Sequence, residues 1–526
     1  MSSVSEQKSI NTAAGVVGFY TFLSRILGLI RDMVVARFFG SGMATDAFFV
    51  AFRIPNLLRR LFAEGSLTIA FIPVFTEYLR RKSREDAYEL ARVVLTVLSI
   101  ILTVITILGI ILAPWIVRLQ AWGFGYEGVK YDLTVLLARI TFPYIFLISL
   151  VALFMGILNS LRHFSAPAAA PILLNVGMIG ATIWIAPRLS QPIVGTAIGV
   201  ILGGILQVAL QIPMIVKKGI PLIPKWMPSH PALKKIGLLM LPAVFGSAIY
   251  QFNQFIGTLL ASFLDEGSVS WLYYADRMVQ FPLGVFAIAI STAALPALSS
   301  QVADRDHSAF NDTLNHSVRL TFFIAFPSMI GLIILGKPII QLFFQRGAFD
   351  SYSTVMTTRA LVFYSLGLWA YSGIRIIVSA FYATQDTKTP VKVAAVTLLV
   401  NLLLSLILMG PLKHGGLALA LSISSSVQFC LLSYFLKKKL SGWDVRPLLL
   451  SIGKYVAASM VMGVFIGYAH FHVFNPNSMS GPLYLTSYVL GMTLTGIFIY
   501  LASARVLGCR EVSFILYMFK ISRRKV

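Results

Sequence analysis

The chain has 526 residues, of which 57% are hydrophobic and 12% charged, and its mean hydropathy is +0.82. Soluble domains carry about 25% charged residues, so this composition excludes an ordinary soluble enzyme and indicates an integral membrane protein. The net charge of +23 raises nucleic acid as a partner, but the placement of the cations at the ends of apolar runs argues against it.

Taken in chain order, apolar runs of membrane-spanning length lie near 10–37, 43–77, 87–119, 133–160, 168–187, 193–216, 234–263, 269–300, 315–345, 356–383, 391–411, 415–436, 447–470 and 482–506. The predicted fold is therefore an all-α polytopic membrane protein of about fourteen transmembrane helices. No basic leader with a short apolar run and a clear cleavage site precedes the first segment, which is expected to stay as an anchor.

That first segment, GFYTFLSRILGLIRDMVVARFFG, carries Arg25, Arg31, Asp32 and Arg37. The second begins near Asp46 and contains FRIPNLLRRLFAEGS, with Arg53, Arg59, Arg60 and Glu64; the eighth carries Asp276 and Arg277. On an ideal helix Arg25 and Asp32 share a face, as do Arg53, Arg60 and Glu64, although Pro55 bends the second segment.

Each arginine at the centre of a bilayer costs about 2.5 to 3.5 kcal/mol. Seven of them in lipid would cost on the order of 20 kcal/mol, more than a typical folding stability. They must face water, one another or a ligand. Arg37 can snorkel from a helix end, and Arg60 can pair with Glu64 at i, i+4. Four carboxylates still cannot neutralise seven guanidiniums, so an anionic partner is implied. Planar forked donors match phosphate oxygens bidentately, which favours a phosphate-bearing anion in a water-filled cavity.

The remaining cations follow the even-numbered segments: Arg80, Arg81, Lys82 and Arg84; Lys217, Lys218, Lys225, Lys234 and Lys235; Lys437, Lys438 and Lys439. The alternate loops are poor in them, so both termini are expected in the cytoplasm, with the rest of the charge serving topology and attraction to membrane lipids. Cys430 and Cys509 suggest neither a disulfide nor a metal site, the histidines lack ligand spacing, and no GxxxxGK[ST] motif occurs. No cofactor is expected, and transport energy would come from an ion gradient or the membrane potential.

Landmarks recur at a nearly constant offset. Pro73 and Pro296, and Pro167 and Pro390, are each 223 residues apart, and Arg53 and Arg277 are 224 apart. Six segments per repeat is an even number, so the halves enter the membrane in the same orientation and a substrate path can run between them. The expected organisation is a six-helix lobe over 1–218, a cytoplasmic linker over 219–233, a second six-helix lobe over 234–440, two additional helices over 441–508 and a basic cytoplasmic tail over 509–526.

The stretches SRILGLIRD (24–32), TDAFFVAFRIPNLLRRLFAEGS (45–66), YADRMVQFPLGVF (274–286) and FYATQDTKTP (381–390) closely resemble the MurJ/MviN family of lipid II flippases, within the multidrug/oligosaccharidyl-lipid/polysaccharide exporter superfamily. The resemblance runs over essentially the whole chain. It implies two lobes around a cationic cavity, two extra helices forming an apolar groove, and movement of the undecaprenyl-pyrophosphate-linked peptidoglycan precursor to the outer leaflet of the bacterial cytoplasmic membrane.

Carried over by position, the resemblance implies substrate-binding roles for Arg25, Arg31, Arg59 and Arg277, with Ser24 beside Arg25 and Arg53 keeping a basic position. It also implies Asp46 and Glu64 as acidic members, and the charge pattern itself adds Asp32, Arg60 and Asp276 as supporting acidic or ion-pair residues. Lipid II is the implied partner, the cell-wall synthesis machinery is a candidate partner, and a monomer suffices. The competing readings are an exporter of another lipid-linked oligosaccharide and a polytopic enzyme acting on lipid-linked sugars. The short loops leave an enzyme little room for a donor-nucleotide site.

Overall fold

The computed structural model describes residues 2–59, 67–440, 443–473 and 481–512, without side-chain detail at 2–14, 69, 242–250 and 473. Arg60, Glu64 and the tail beyond 512 lie outside the described residues. Among the described residues every regular element is helical. The chain runs through α1 (Ser2–Phe39), α2 (Met43–Leu58), α3 (Thr68–Arg81), α4 (Arg84–Ile111), α5 (Ala113–Gln120), α6 (Val129–Thr141), α7 (Tyr144–Ser160), α8 (Ser165–Gly180) and α9 (Ile193–Lys217). It continues through α10 (Pro231–Ser262), α11 (Ser268–Pro282), α12 (Ile288–Ala303), α13 (His307–Ile334), α14 (Gly336–Phe344), α15 (Ser351–Ser365), α16 (Leu368–Ala383), α17 (Lys388–Leu412) and α18 (His414–Lys439), and ends with α19 (Arg446–Tyr468) and α20 (Pro482–Val506).

Ten helical runs among the described residues are long and apolar enough to cross a bilayer, or eleven if α15 and α16, bent by 43°, count as one span. Helices α1, α2, α3 and α10, which lie within other apolar runs, fall outside that set.

The offset seen in the sequence recurs in the elements. Helices α4 and α13 are both 28 residues long and begin 223 positions apart, at Arg84 and His307. Their caps correspond too: Ser83 Oγ accepts from Asp86 N at 3.0 Å, and Asp306 Oδ1 accepts from Ala309 N at 2.9 Å. Each satisfies an otherwise unpaired amide of the first turn. The turn before α8 places Arg162 at φ 57°, and the turn before α17 places Gln385 at the same φ. In both, the left-handed residue closes the preceding helix so that the next can start within a few residues.

By packing, the chain forms two compact units, one of residues up to Ser270 together with Gly347–Phe349, the other of Trp271–Arg346 together with residues from Asp350 onward. In the first, Phe71 stacks on Phe75 at 5.2 Å, among Leu90, Leu153, Phe154 and Ile215. Helices α8 and α9 approach closely because small residues face each other: a Cβ on Gly177 would lie 2.6 Å from Gly203 Cα. Such contacts matter in a membrane, where lipid is as apolar as leucine and association relies on close backbone packing.

In the second unit, Phe322, Phe323, Ile376, Phe381 and Leu432 form a core that also takes in Tyr455 and Met462 of α19 and Tyr500 of α20. The two appended helices thus share the core of this unit through α13.

Candidate functional site

Arg31 and Asp32 follow each other on α1, and both are buried, at 8% and 2% exposure. The guanidinium of Arg31 reaches Asp32 Oδ1 through Nε at 3.0 Å and Nη2 at 2.7 Å. Its remaining nitrogen, Nη1, donates to Asn175 Oδ1 of α8 at 3.1 Å. Asn175 in turn donates through Nδ2 to Ser24 O at 3.2 Å and to Pro171 O at 3.3 Å. One amide therefore orients the arginine and ties the Ser24 backbone to α8. Ser24 itself is half-buried, and Arg25 is exposed on the same helix.

The helical-face argument set Asp32 against Arg25. The structure pairs Asp32 with its neighbour Arg31 instead, both of them being buried while Arg25 is exposed. A charge pair removed from water is favourable only when its other hydrogen bonds are met, and Asn175 meets one of them.

On α2, Arg53 is half-buried and donates through Nη1 to Gln254 O of α10 at 2.9 Å and to Thr258 Oγ1. Arg59, also half-buried, donates through Nε to Asn56 Oδ1 at 3.0 Å. The Tyr144 hydroxyl on α7 lies within electrostatic reach of both Arg59 and Arg31. That hydroxyl is positioned by Gln207 Oε1 at 3.3 Å, whose amide donates to Ala170 O at 3.0 Å.

Asp46 is 1% exposed and collects four donors. Oδ1 accepts from Ser270 N at 2.9 Å and Ser270 Oγ at 2.6 Å, and Oδ2 accepts from Gly267 N at 2.8 Å and Lys130 Nζ at 2.9 Å. The sequence pointed to arginines as its counter-charges; its ion pair here is with a lysine of α6. Asp46 thereby ties the first turn of α2 to α6 and to the first turn of α11. Close by, Met43 N donates to Glu266 Oε1 at 2.7 Å, and Ala348 N donates to Arg37 O at 2.9 Å.

In the second unit, Arg277 on α11 donates through Nη2 to Tyr273 Oη at 2.6 Å, and its guanidinium lies 4.8 Å from the Tyr273 ring centroid. One turn of helix separates them, so the ring supports the cation from below. Asp276 accepts from Gln280 Nε2 and lies within electrostatic reach of Tyr371 on α16. Tyr371 and Ser422 share a hydrogen bond at 3.0 Å.

Sequence reasoning missed Asn175, Tyr144, Lys130, Ser270 and Tyr273. Only Asn175 carried a usable signal: it is a lone amide in SAPAAAPILLNVGMIG, where an unmet polar group would be costly. Among the described residues no group of three or more His, Cys, Asp or Glu could hold a metal ion. Chemically, the arrangement offers forked cationic donors held by amides, hydroxyls and one carboxylate, a set suited to binding an anion.

The sequence model of the family described as lipid II flippase MurJ matches residues 35–488. The chain is 39% identical over 439 residues to a probable lipid II flippase MurJ of Vibrio cholerae, covering 82% of this chain and 84% of that one. It is 40% identical over 427 residues to the lipid II flippase MurJ of Burkholderia cenocepacia, covering 80% and 83%. A solved lipid II flippase MurJ in an inward closed conformation superposes with a TM-score of 0.79 at 31% identity, over 93% of this chain and 98% of that one. An inward-facing multidrug resistance transporter of the MATE family shares the fold, with a TM-score of 0.70 at 15% identity over 82% and 98%. With its ten or eleven apolar spans, this chain is a multi-pass inner-membrane protein that belongs to the lipid II flippase MurJ family, a family of transporters and not of enzymes.

Proposed function

We propose that this protein carries lipid II, the undecaprenyl-pyrophosphate-linked peptidoglycan precursor, from the cytoplasmic to the outer leaflet by alternating access. The reading rests on family membership over most of the chain, joined to one observation: the buried guanidinium of Arg31 is oriented by Asp32 and Asn175. In this reading Arg25, Arg31, Arg53, Arg59 and Arg277 bind the pyrophosphate, with Ser24 beside them. Asp32, Asp46, Asp276, Arg60 and Glu64 hold or balance them.

The same proposal takes fourteen spans, in two six-helix lobes over 1–218 and 234–440 joined by the linker 219–233. Both termini lie in the cytoplasm, and helices α19 and α20 within 441–508 offer a groove for the lipid tail. Exposed apolar side chains such as Phe465 and Phe498 suit that groove. Membrane potential or an ion gradient drives the cycle, at about 2.3 kcal/mol per charge per 100 mV.

The test is exposure of lipid II at the outer surface of cells that depend on this protein alone, comparing wild type with Arg25→Ala and Arg277→Ala at matched membrane abundance. Loss of exposure with normal abundance supports the reading. Normal exposure in both variants removes these arginines from recognition.

A further inference from the structure

The segment joining α9 to α10 is strapped to α4. Lys218 O accepts from Tyr88 Oη at 2.9 Å, Ile223 O accepts from Arg92 Nε at 2.8 Å, and Lys225 N donates to Thr96 Oγ1 at 2.8 Å. Lys225 Nζ also pairs with Glu89 Oε1 at 2.7 Å. Tyr88, Arg92 and Thr96 are spaced i, i+4 and i+8, so they form one face, and the strap follows it for two helical turns, about 12 Å.

One turn beyond Thr96, α4 begins an exposed apolar band of Ile100, Ile101, Val104, Ile107, Leu108 and Ile111. Helix α4 is a membrane span, so this band faces hydrocarbon and Thr96 marks its edge. Trp226 follows the residue that Thr96 holds. It is 61% exposed, and Ile223 is 62% exposed. Around the same end Arg80, Arg81, Arg84, Lys217, Lys218 and Lys234 are all exposed, against the carboxylates Glu85 and Asp86.

In the second repeat protein covers the corresponding surface. Asn315 and Phe323, each 223 positions after Arg92 and Ile100, receive Trp443 Nε1 at 2.9 Å and Tyr500 Oη at 2.7 Å, and Trp443 is buried. In the first repeat Ile100 and Trp226 are exposed. An exposed tryptophan among exposed cations that outnumber the neighbouring carboxylates matches the chemistry of a lipid headgroup layer.

We propose that residues 218–231 form an interfacial anchor that seats Trp226 and Ile223 at the bilayer boundary and gathers anionic phospholipid headgroups around the neighbouring cations. The strap holds this anchor at a fixed depth on α4, so the link between the repeats is a membrane-bound element and not a free tether. This assignment does not depend on what the protein transports.

The test uses the full chain in nanodiscs of phosphatidylglycerol or phosphatidylcholine brominated at shallow acyl positions. The fluorescence difference between wild type and Trp226→Phe isolates the one tryptophan. Quenching should occur in both lipids and be about five-fold stronger in phosphatidylglycerol when the two are mixed. High salt, or Lys217→Gln with Lys218→Gln, should abolish that excess. Absence of quenching in either lipid overturns the insertion of Trp226, and equal quenching in the mixture overturns headgroup selection.

Discussion

Asn175 Oδ1 accepts a hydrogen bond from Arg31 Nη1 at 3.1 Å across 144 positions of sequence. The carboxylate of Asp32 occupies the other edge of the same guanidinium. Replacing Asn175 by Leu removes one charged hydrogen bond, worth about 1.5 to 3 kcal/mol. Lipid II exposure should fall roughly ten-fold or more at unchanged abundance, since about 1.4 kcal/mol is a factor of ten. Asn175→Gln, which can restore the contact from a longer side chain, should recover part of it. Full activity of Asn175→Leu would show that Arg31 needs no orientation from α8.

Asp46→Asn breaks the ion pair of a buried carboxylate with the half-buried Lys130 and leaves that ammonium uncompensated, a loss of about 3 kcal/mol. Thermal unfolding in detergent should move down accordingly. Adding Lys130→Met should restore part of the loss, because the uncompensated charge goes with it. Hydrogen exchange should accelerate at the Gly267 and Ser270 amides in both variants, since both lose their acceptor geometry.

Gly40 has φ +66°, and a Cβ there would lie 2.5 Å from Ala348 O. Gly40→Ala combines left-handed strain of about 1 to 2 kcal/mol with that clash. The expected result is a lower unfolding temperature and faster proteolysis near 347–349. Gly237→Ala, where a Cβ would meet nothing within 4 Å, is the matched control and should leave both unchanged.

Asp386 lies in the turn before α17. Burial alone would raise its pKa, but hydrogen bonds from Thr389 N and Oγ1 and from Lys439 Nζ outweigh this and hold it down at about 2. A carboxyl depressed in the folded state binds fewer protons there than in the unfolded chain, so stability rises with pH through the window. Its contribution should be complete above the ordinary value of 3.8 and fade as pH falls toward 2. Unfolding temperature measured from pH 5 to 2 should show this slope in wild type and a shallower one in Asp386→Asn.

Much of this protein was legible along the chain. The apolar runs, their cationic flanks and the 223-residue offset are local or periodic signals, and each has a helical counterpart, down to matching caps at Ser83 and Asp306. The arginines in α1, α2 and α11 stood out because a guanidinium in hydrocarbon is costly wherever the chain later places it.

Tertiary structure alone decided which base meets which acid. Asp32 takes Arg31 and not Arg25, and Asp46 takes Lys130, 84 positions away, together with the first turn of α11. Asn175, Tyr144 and the strap on α4 act through contacts between distant helices. Sequence by itself determined the helices, their repetition and the excess of arginines over carboxylates in them, because propensity, hydropathy and charge cost are properties of short stretches. Pairing depends on distances of about 3 Å set by helix packing, and no stretch of sequence contains those distances.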